Sequence, residues 1–289
     1  MGKSPDNSLI AFLLSLVTLI LYYLFLKPIL TIEVLNSTES FAKHSKKKYI
    51  MMVVLFSILS ILHFIVNLWG FQSKCGGTIT ENLGKVFVST FAPWFIIFGL
   101  MMAVLIIFPG FKGTFSNVIG YYAVARSSNK ILVQLMGNPE VDKELSNNSD
   151  STSDEKVSSD KSNIRKASDA ILKLVGNTSI LINQLTPENF MQMWGMLIPV
   201  MKTENQDSAV NAPFKKQLLE DVVLRDNIGE FCWYLYTTLL LMIMTKTMML
   251  QQECVTTVAH VKENTDKYNS KEEEKKKREK ENDKVVYNG

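Results

Sequence analysis

The stretch LIAFLLSLVTLILYYLFL, residues 9–26, carries no charged side chain. Thirteen of its 18 residues are Leu, Ile, Val or Phe. At 1.5 Å per residue such a helix reaches across most of a hydrocarbon core of roughly 30 Å. Each of those side chains favours insertion by about 0.3 to 0.6 kcal/mol near a helix centre. Tyr49–Phe71 and Val86–Phe111 are equally free of charge. The whole-chain values, 47% hydrophobic and 20% charged, hide this because the apolar residues come in blocks. The sequence therefore reads as an all-α integral membrane protein. The first block exceeds the 7–15 apolar residues of a cleaved signal peptide and ends in Lys27-Pro28, so it is expected to be retained.

A fourth block, Phe231–Leu250, is charge-free only as far as Thr245, a span of about 22 Å. Lys246 must then snorkel to the far interface, and Trp233, Tyr234 and Tyr236 suit an aromatic belt at the near one. The expected architecture has about four transmembrane helices, three within 1–111 (9–30, 49–71, 86–108) and one at 231–250. An interfacial helix region (112–139), a disordered linker (140–163) and a small helical extramembrane domain (164–230) lie between. A charged C-terminal helix or tail (251–289) follows.

Four spans put the 27–48 loop and the 112–230 segment on one side. Lys27, Lys43, Lys46, Lys47, Lys48, Lys112 and Arg126 stand there near span ends, against Lys3, Lys74, Lys85, Lys246 and Lys262 opposite. The basic bias predicts that 112–230 is cytoplasmic. The sequons at Asn36, Asn147 and Asn177 would then stay unmodified. Cys75 and Cys254 share the other side, where an oxidising compartment would allow a disulfide. On a cytoplasmic face Cys254 would instead be a palmitoylation candidate, and unpaired thiols are the third option.

Within the second span, Ser57, Ser60, His63 and Asn67 fall in one third of the helix circumference. An ionisable residue at membrane depth is a functional candidate, yet no span offers an Asp or Glu to complete a proton relay. Interhelical hydrogen bonding is the favoured reading of this face. In the third span Pro93 predicts a kink. Ala92, Gly99 and Ala103 share a face of small residues expected to let another helix approach closely.

The third span ends at Pro109-Gly110. Thr114 or Ser116 is expected to cap a new helix bearing Val118, Tyr122 and Ala125, with Ser116 and Gly120 as a small pair and Tyr121 at headgroup level. A break is expected at Ser127-Ser128-Asn129. The run Pro109, Gly110, Phe111, then Phe115, Ser116, Asn117, Ile119, Gly120 and Tyr121 resembles a Phe-Ser-Asn-x-Ile/Phe-Gly-Tyr signature. That signature follows a Pro-Gly-aromatic turn in multi-span membrane proteins of large nucleocytoplasmic DNA viruses. Phe111, Lys112, Gly113 and Thr114 stand here where that pattern places Trp-Leu and a Pro. The resemblance covers about 15 of 289 residues. It implies a virus-encoded protein of the virion inner membrane or of a host ER-derived assembly membrane.

Residues 140–163 are rich in Ser and Asp and too polar to order themselves. Ile164, Ala167, Ile171, Leu174, Thr178, Leu181 and Leu185 then alternate in a 3-4 pattern. Thr186-Pro187 is expected to start a Met-rich helix through Met201, packed locally, and Pro213 a last amphipathic helix. In the tail, Glu272–Lys276, Glu273–Lys277 and Glu274–Arg278 are acid-first i,i+4 pairs. Its nine basic and nine acidic residues cancel, so no nucleic acid is expected as a partner.

His44, His63 and His260 lie on separate segments, and CxxC, HExxH, P-loop and G-x-S-x-G motifs are absent. No catalytic residue, metal or cofactor is expected. The reading is a structural or assembly membrane protein that anchors capsid or assembly factors to a bilayer. Its expected partners are lipid, other membrane or capsid proteins and, as an option, further copies of itself. The alternative is a small channel or proton-coupled transporter using the polar face of the second span.

Overall fold

A 44-residue helix, Ser208–Gln251, organises the molecule. At 1.5 Å per residue it is about 66 Å long, twice the thickness of a hydrocarbon core. Its second half lies among three other apolar helices, and its first half carries a separate helical domain. The computed structural model describes residues 7–75, 79–136, 178–254 and 258–285. The 140–163 linker, the start of the heptad run and the sequons at Asn147 and Asn177 lie outside the described residues. Asn36 stands exposed at the end of a short helix.

In chain order, α1 (Asn7–Leu21) runs into a π-helical turn, Tyr22–Leu26, and α2 (Ile32–Leu35) precedes α3 (Thr38–Cys75). Next, α4 (Ile79–Pro93), a π turn (Trp94–Phe98) and α5 (Gly99–Ile107) form one continuous rod. A 3-10 turn (Pro109–Lys112), α6 (Gly113–Phe115) and a π turn (Ser116–Gly120) lead into α7 (Tyr121–Leu135). Then come α8 (Thr178–Gln184), α9 (Phe190–Leu197), α10 (Ser208–Gln251) and α11 (Val258–Val285). No strand occurs among the described residues, which make only an isolated bridge between Met136 and Met201.

Four helices are long and apolar enough to cross a membrane: Ser8–Leu26, Thr38–Cys75, Asn82–Ile107 and Ser208–Gln251. The first stops short of the expected residue 30 because Lys27 is already extended. Their packing is inside out relative to a water-soluble bundle. Leu13, Val17, Leu24, Ile61, Ile65, Phe95, Ile96, Leu100 and Ile243 are exposed, while Ser15, Ser60, His63, Thr90, Thr237, Thr238 and Thr245 are buried. Hydrocarbon surroundings reward that distribution, since apolar side chains are as well placed against lipid as inside the bundle and polar ones are not.

The bundle core is aromatic. Trp94 stacks on Phe98 at 5.3 Å and Phe98 on Tyr234 at 5.4 Å, with Leu19, Tyr22, Met52, Leu55 and Leu59 around them. This overturns the expected small-residue seam. Ala92 is exposed, a side chain on Gly99 would meet nothing within 4 Å, and Ala103 is only half-buried. Pro93 has no N–H for the helical ladder, and the π turn that follows rotates the third span onto its aromatic face.

Outside the bundle, Val124, Ile131, Leu132 and Leu135 of α7 pack on Leu181 and Ile182 of α8, Phe190, Trp194 and Leu197 of α9, and Leu218, Leu219 and Val222 of α10. Met191 and Met193 pack against this core. Several expected boundaries move. Helix α7 passes through Ser127–Asn129 unbroken because buried Ser128 donates to Asp221 at 2.9 Å. Helix α9 runs from Phe190, after a turn at 187–189 that Thr186 and Asn189 close by reciprocal side chain-to-backbone hydrogen bonds at 2.7 and 3.3 Å. Helix α10 begins at Ser208, capped by Asp207 accepting from the Ala209 N–H at 2.9 Å, and takes Pro213 into its interior.

The bundle end away from this domain is clamped. Lys74 Nζ donates to the carbonyls of Met249, Leu250 and Gln252 at 3.3, 3.0 and 3.2 Å, and Lys85 Nζ to that of Glu253 at 2.8 Å. These cations sit where the α10 dipole is negative. Lys246, expected to snorkel, donates to Ser8 Oγ at 2.7 Å. Cys75 and Cys254 form a disulfide, which removes Cys254 as a palmitoylation site and leaves Cys232 as the free thiol. Maleimide labelling of the denatured, unreduced protein should therefore modify one cysteine per chain, and three after reduction; three before reduction would refute the bridge.

Candidate functional site at the membrane exit

The candidate site is the crossing where α10 leaves the bundle and meets the chain emerging from the third span. On α10, Arg225, Asp226, Gly229, Glu230 and Trp233 fall on one side by their i, i+4 spacing. Three chain segments meet them: the end of the first span, the 109–120 turn and α8.

Two buried acid–base pairs hold the crossing. Lys112 Nζ contacts Asp226 Oδ2 at 2.6 Å, with side chains 3% and 12% exposed. Lys27 Nζ contacts Glu230 Oε1 at 2.9 Å, with side chains 9% and 2% exposed. Tyr23 adds a phenolic donor to Glu230 at 3.2 Å, and the Lys27 ammonium lies 4.7 Å from the Tyr23 ring centroid. Burial works against the charge on Lys112, but Asp226, Glu230 and Glu188 together outweigh it and hold its pKa above the ordinary lysine value. Removing one partner of such a pair typically costs about 3–5 kcal/mol, because the survivor is left buried and unpaired.

Arg225, 2% exposed, donates through its terminal nitrogens to the Ile182 and Leu185 carbonyls. Those are unsatisfied acceptors at the C-terminal end of α8, where a cation is also favoured by the helix dipole. One arginine thus ties α8 to α10. Trp233 closes the membrane side: its ring stacks on Phe111 at 4.6 Å, meets Phe115 edge-on at 4.9 Å, and its Nε1 donates to the Phe111 carbonyl at 3.2 Å.

Between these anchors the backbones touch. A Cβ placed on Gly120 would lie 2.6 Å from the Arg225 carbonyl oxygen. One placed on Gly229 would lie 2.7 Å from Ser116 Cβ and 2.9 Å from the Lys112 carbonyl oxygen. Ser116 opposes Gly229 and Gly120 opposes Arg225, so two small residues on one helix answer positions four apart on the other. The π turn Ser116–Gly120 aims both buried residues at α10.

The motif residues therefore divide. Ser116 and Gly120 form the crossing, and neither Ser116 nor Thr114 makes the expected cap bond. Phe115 packs on Trp233. Pro109 and Gly110 form the exposed turn, Asn117 is exposed, and Tyr121 is half-buried against the domain core. Val118, Ile119 and Tyr122 turn outward, 67%, 48% and 88% exposed.

The polar face of the second span also divides. Ser57 is exposed and bonds its own helix at the Val53 carbonyl, 2.9 Å away. Asn67 donates to Thr90 Oγ1 at 3.1 Å. His63 is buried against Trp94, ring centroids 4.7 Å apart, and shares a 2.7 Å hydrogen bond with Ser15. Ser15 donates its proton to the Ala11 carbonyl at 2.7 Å, so its oxygen accepts from the Nε2–H of His63. Ser60 is buried beside it. Among the described residues no three His, Cys, Asp or Glu side chains gather as a metal site.

Sequence reasoning counted Lys27 and Lys112 only as orientation signals and passed over Arg225, Asp226, Gly229 and Glu230. The available signal was the string RDNIGE immediately before an apolar block, facing lysines that follow two other blocks. Against known protein families, curated proteins and solved structures, the chain finds no match.

The crossing makes a graded prediction. Gly120→Ala and Gly229→Ala should each lower stability by about 1–3 kcal/mol through overpacking against backbone. Gly99→Ala, with open space around it, should stay within about 0.5 kcal/mol of the parent. Thermal unfolding in one detergent checks this, and equal effects at the three positions would contradict the close approach.

Proposed function

We propose that this protein is a structural membrane anchor that holds partner proteins at a fixed position on a bilayer. The observation that carries the reading is the rigid crossing: one unbroken helix belongs to both the span bundle and the extramembrane domain. Buried ion pairs, an arginine clamp and glycine contacts fix the two against each other. An anchor must transmit position, and a helix shared by the two cores supports that role. The polar side chains of the second span supply interhelical hydrogen bonds, which favours anchoring over transport through that face.

The membrane we propose is that of a large DNA virus, in the virion or in the host-derived membrane from which it assembles, and the partners are capsid or assembly proteins. The support is the Pro109–Tyr121 run, whose Ser116 and Gly120 lie at the helix crossing. We further propose that the 112–230 segment faces the cytoplasm. The lysine bias supports it, and so does the Cys75–Cys254 disulfide at the opposite end, which suits an oxidising compartment.

Fractionation of infected cells producing a tagged copy tests this reading. The expected result is co-purification with virus particles and release by detergent. Confinement to cell membranes, with none in particles, would contradict it.

A further inference from the structure

A cleft of about 210 Å³ opens beside the crossing, lined by both apolar and charged side chains. Its position follows from the chain path. Leu30 follows the first span, Lys48 directly precedes the apolar stretch of the second, and Pro109 follows the third, and all three line it. Three span ends at one level place the cleft at the height of lipid headgroups. On its apolar side it is walled by Met52, Leu105 and Ile106.

The cleft carries as many cations as carboxylates, but not all of them are paired by contact. Lys112 is taken by Asp226 at 2.6 Å, and Glu230 by Lys27 at 2.9 Å. His44 bonds the Pro28 carbonyl at 3.3 Å. That leaves Lys48, half-buried, and Glu188, exposed on the rim. Among the described residues neither has an ion-pair or hydrogen-bond partner. One cation and one carboxylate thus face one cleft without a contacting partner, above an apolar wall, although Lys48 lies within the field of Glu230 and Glu188 within that of Lys112.

We propose that this cleft seats the headgroup of a zwitterionic aminophospholipid. Its phosphate rests on the Lys48 ammonium and its primary amine on the Glu188 carboxylate. The acyl chains descend along Leu30, Met52, Leu105 and Ile106 into the bilayer. Charge-assisted hydrogen bonds of this kind are the strong ones, and a carboxylate accepts them from a primary amine but not from a quaternary one. The volume equals that of roughly seven waters at about 30 Å³ each, enough for a phosphoethanolamine group and too little for a whole lipid. The cleft would then fix the protein's depth in the membrane beside the pairs that hold α10.

The full-length protein, reconstituted in nanodiscs of mixed phosphatidylethanolamine, phosphatidylcholine and phosphatidylglycerol, tests this by native mass spectrometry of the lipid kept after detergent extraction. The expected result is about one phosphatidylethanolamine per chain. Lys48→Met should lower its retention by roughly tenfold, with rescue by Lys48→Arg. Glu188→Gln should abolish the preference over phosphatidylcholine. Neither variant removes a member of the buried ion pairs, and the unfolding temperature of each verifies that it folds. Retention indifferent to headgroup and to Lys48→Met would overturn the proposal, as an annular lipid only. So would equal protection by soluble glycerophosphoethanolamine, which would indicate a site for a free phosphate compound.

Discussion

The structure depends on two acids, Asp226 and Glu230, buried one helical turn apart on α10 and each met by a lysine from another part of the chain. A carboxylate at this depth is tolerable only when paired, since an isolated ionised group would cost far more than the fold can supply. The requirement fixes where Lys27 and Lys112 must be, and with them the exits of the first and third spans. It also fixes the rotation of α10, because the face that carries the acids is the face that carries Gly229. Close backbone contact at Gly120 and Gly229 shortens the distance over which the pairs act. Charge and shape specify the same alignment.

On the membrane side a different force takes over. Lipid gives apolar side chains no reason to be inside, so the bundle closes through aromatic stacking around Trp94 and Phe98 and through hydrogen bonds such as His63–Ser15 and Asn67–Thr90. On the aqueous side the usual hydrophobic burial returns, with Leu132, Leu135, Trp194 and Leu218 fully or nearly fully enclosed. The crossing lies between these regimes, and neither driving force alone would hold it. Ion pairs, strengthened where water is scarce, fill that role.

The spans were legible because hydrophobicity over about 20 residues is a one-dimensional signal. The helical character of the described residues followed from that signal and from the 3.6-residue period outside the spans. The crossing was not legible in the same way. Lys27 and Glu230 are far apart in sequence, and nothing in one dimension says which span ends become neighbours. The small-residue face of the third span failed for a related reason: the π turn after Pro93 breaks the 100° periodicity on which the face was drawn. The expected break at Ser127–Asn129 read intrinsic preference where Asp221 supplies a tertiary partner for Ser128.

A helix shared by two bodies makes them one only if it does not flex where it leaves the membrane. Hydrogen–deuterium exchange of the reconstituted protein, followed peptide by peptide along α10, measures this directly. The account predicts that amides from 222 to 234 exchange as slowly as those of 214–222, with no break at the crossing. Fast exchange confined to 223–232 would reveal a hinge there, and would contradict the central claim that buried charge pairs weld the domain to the bundle.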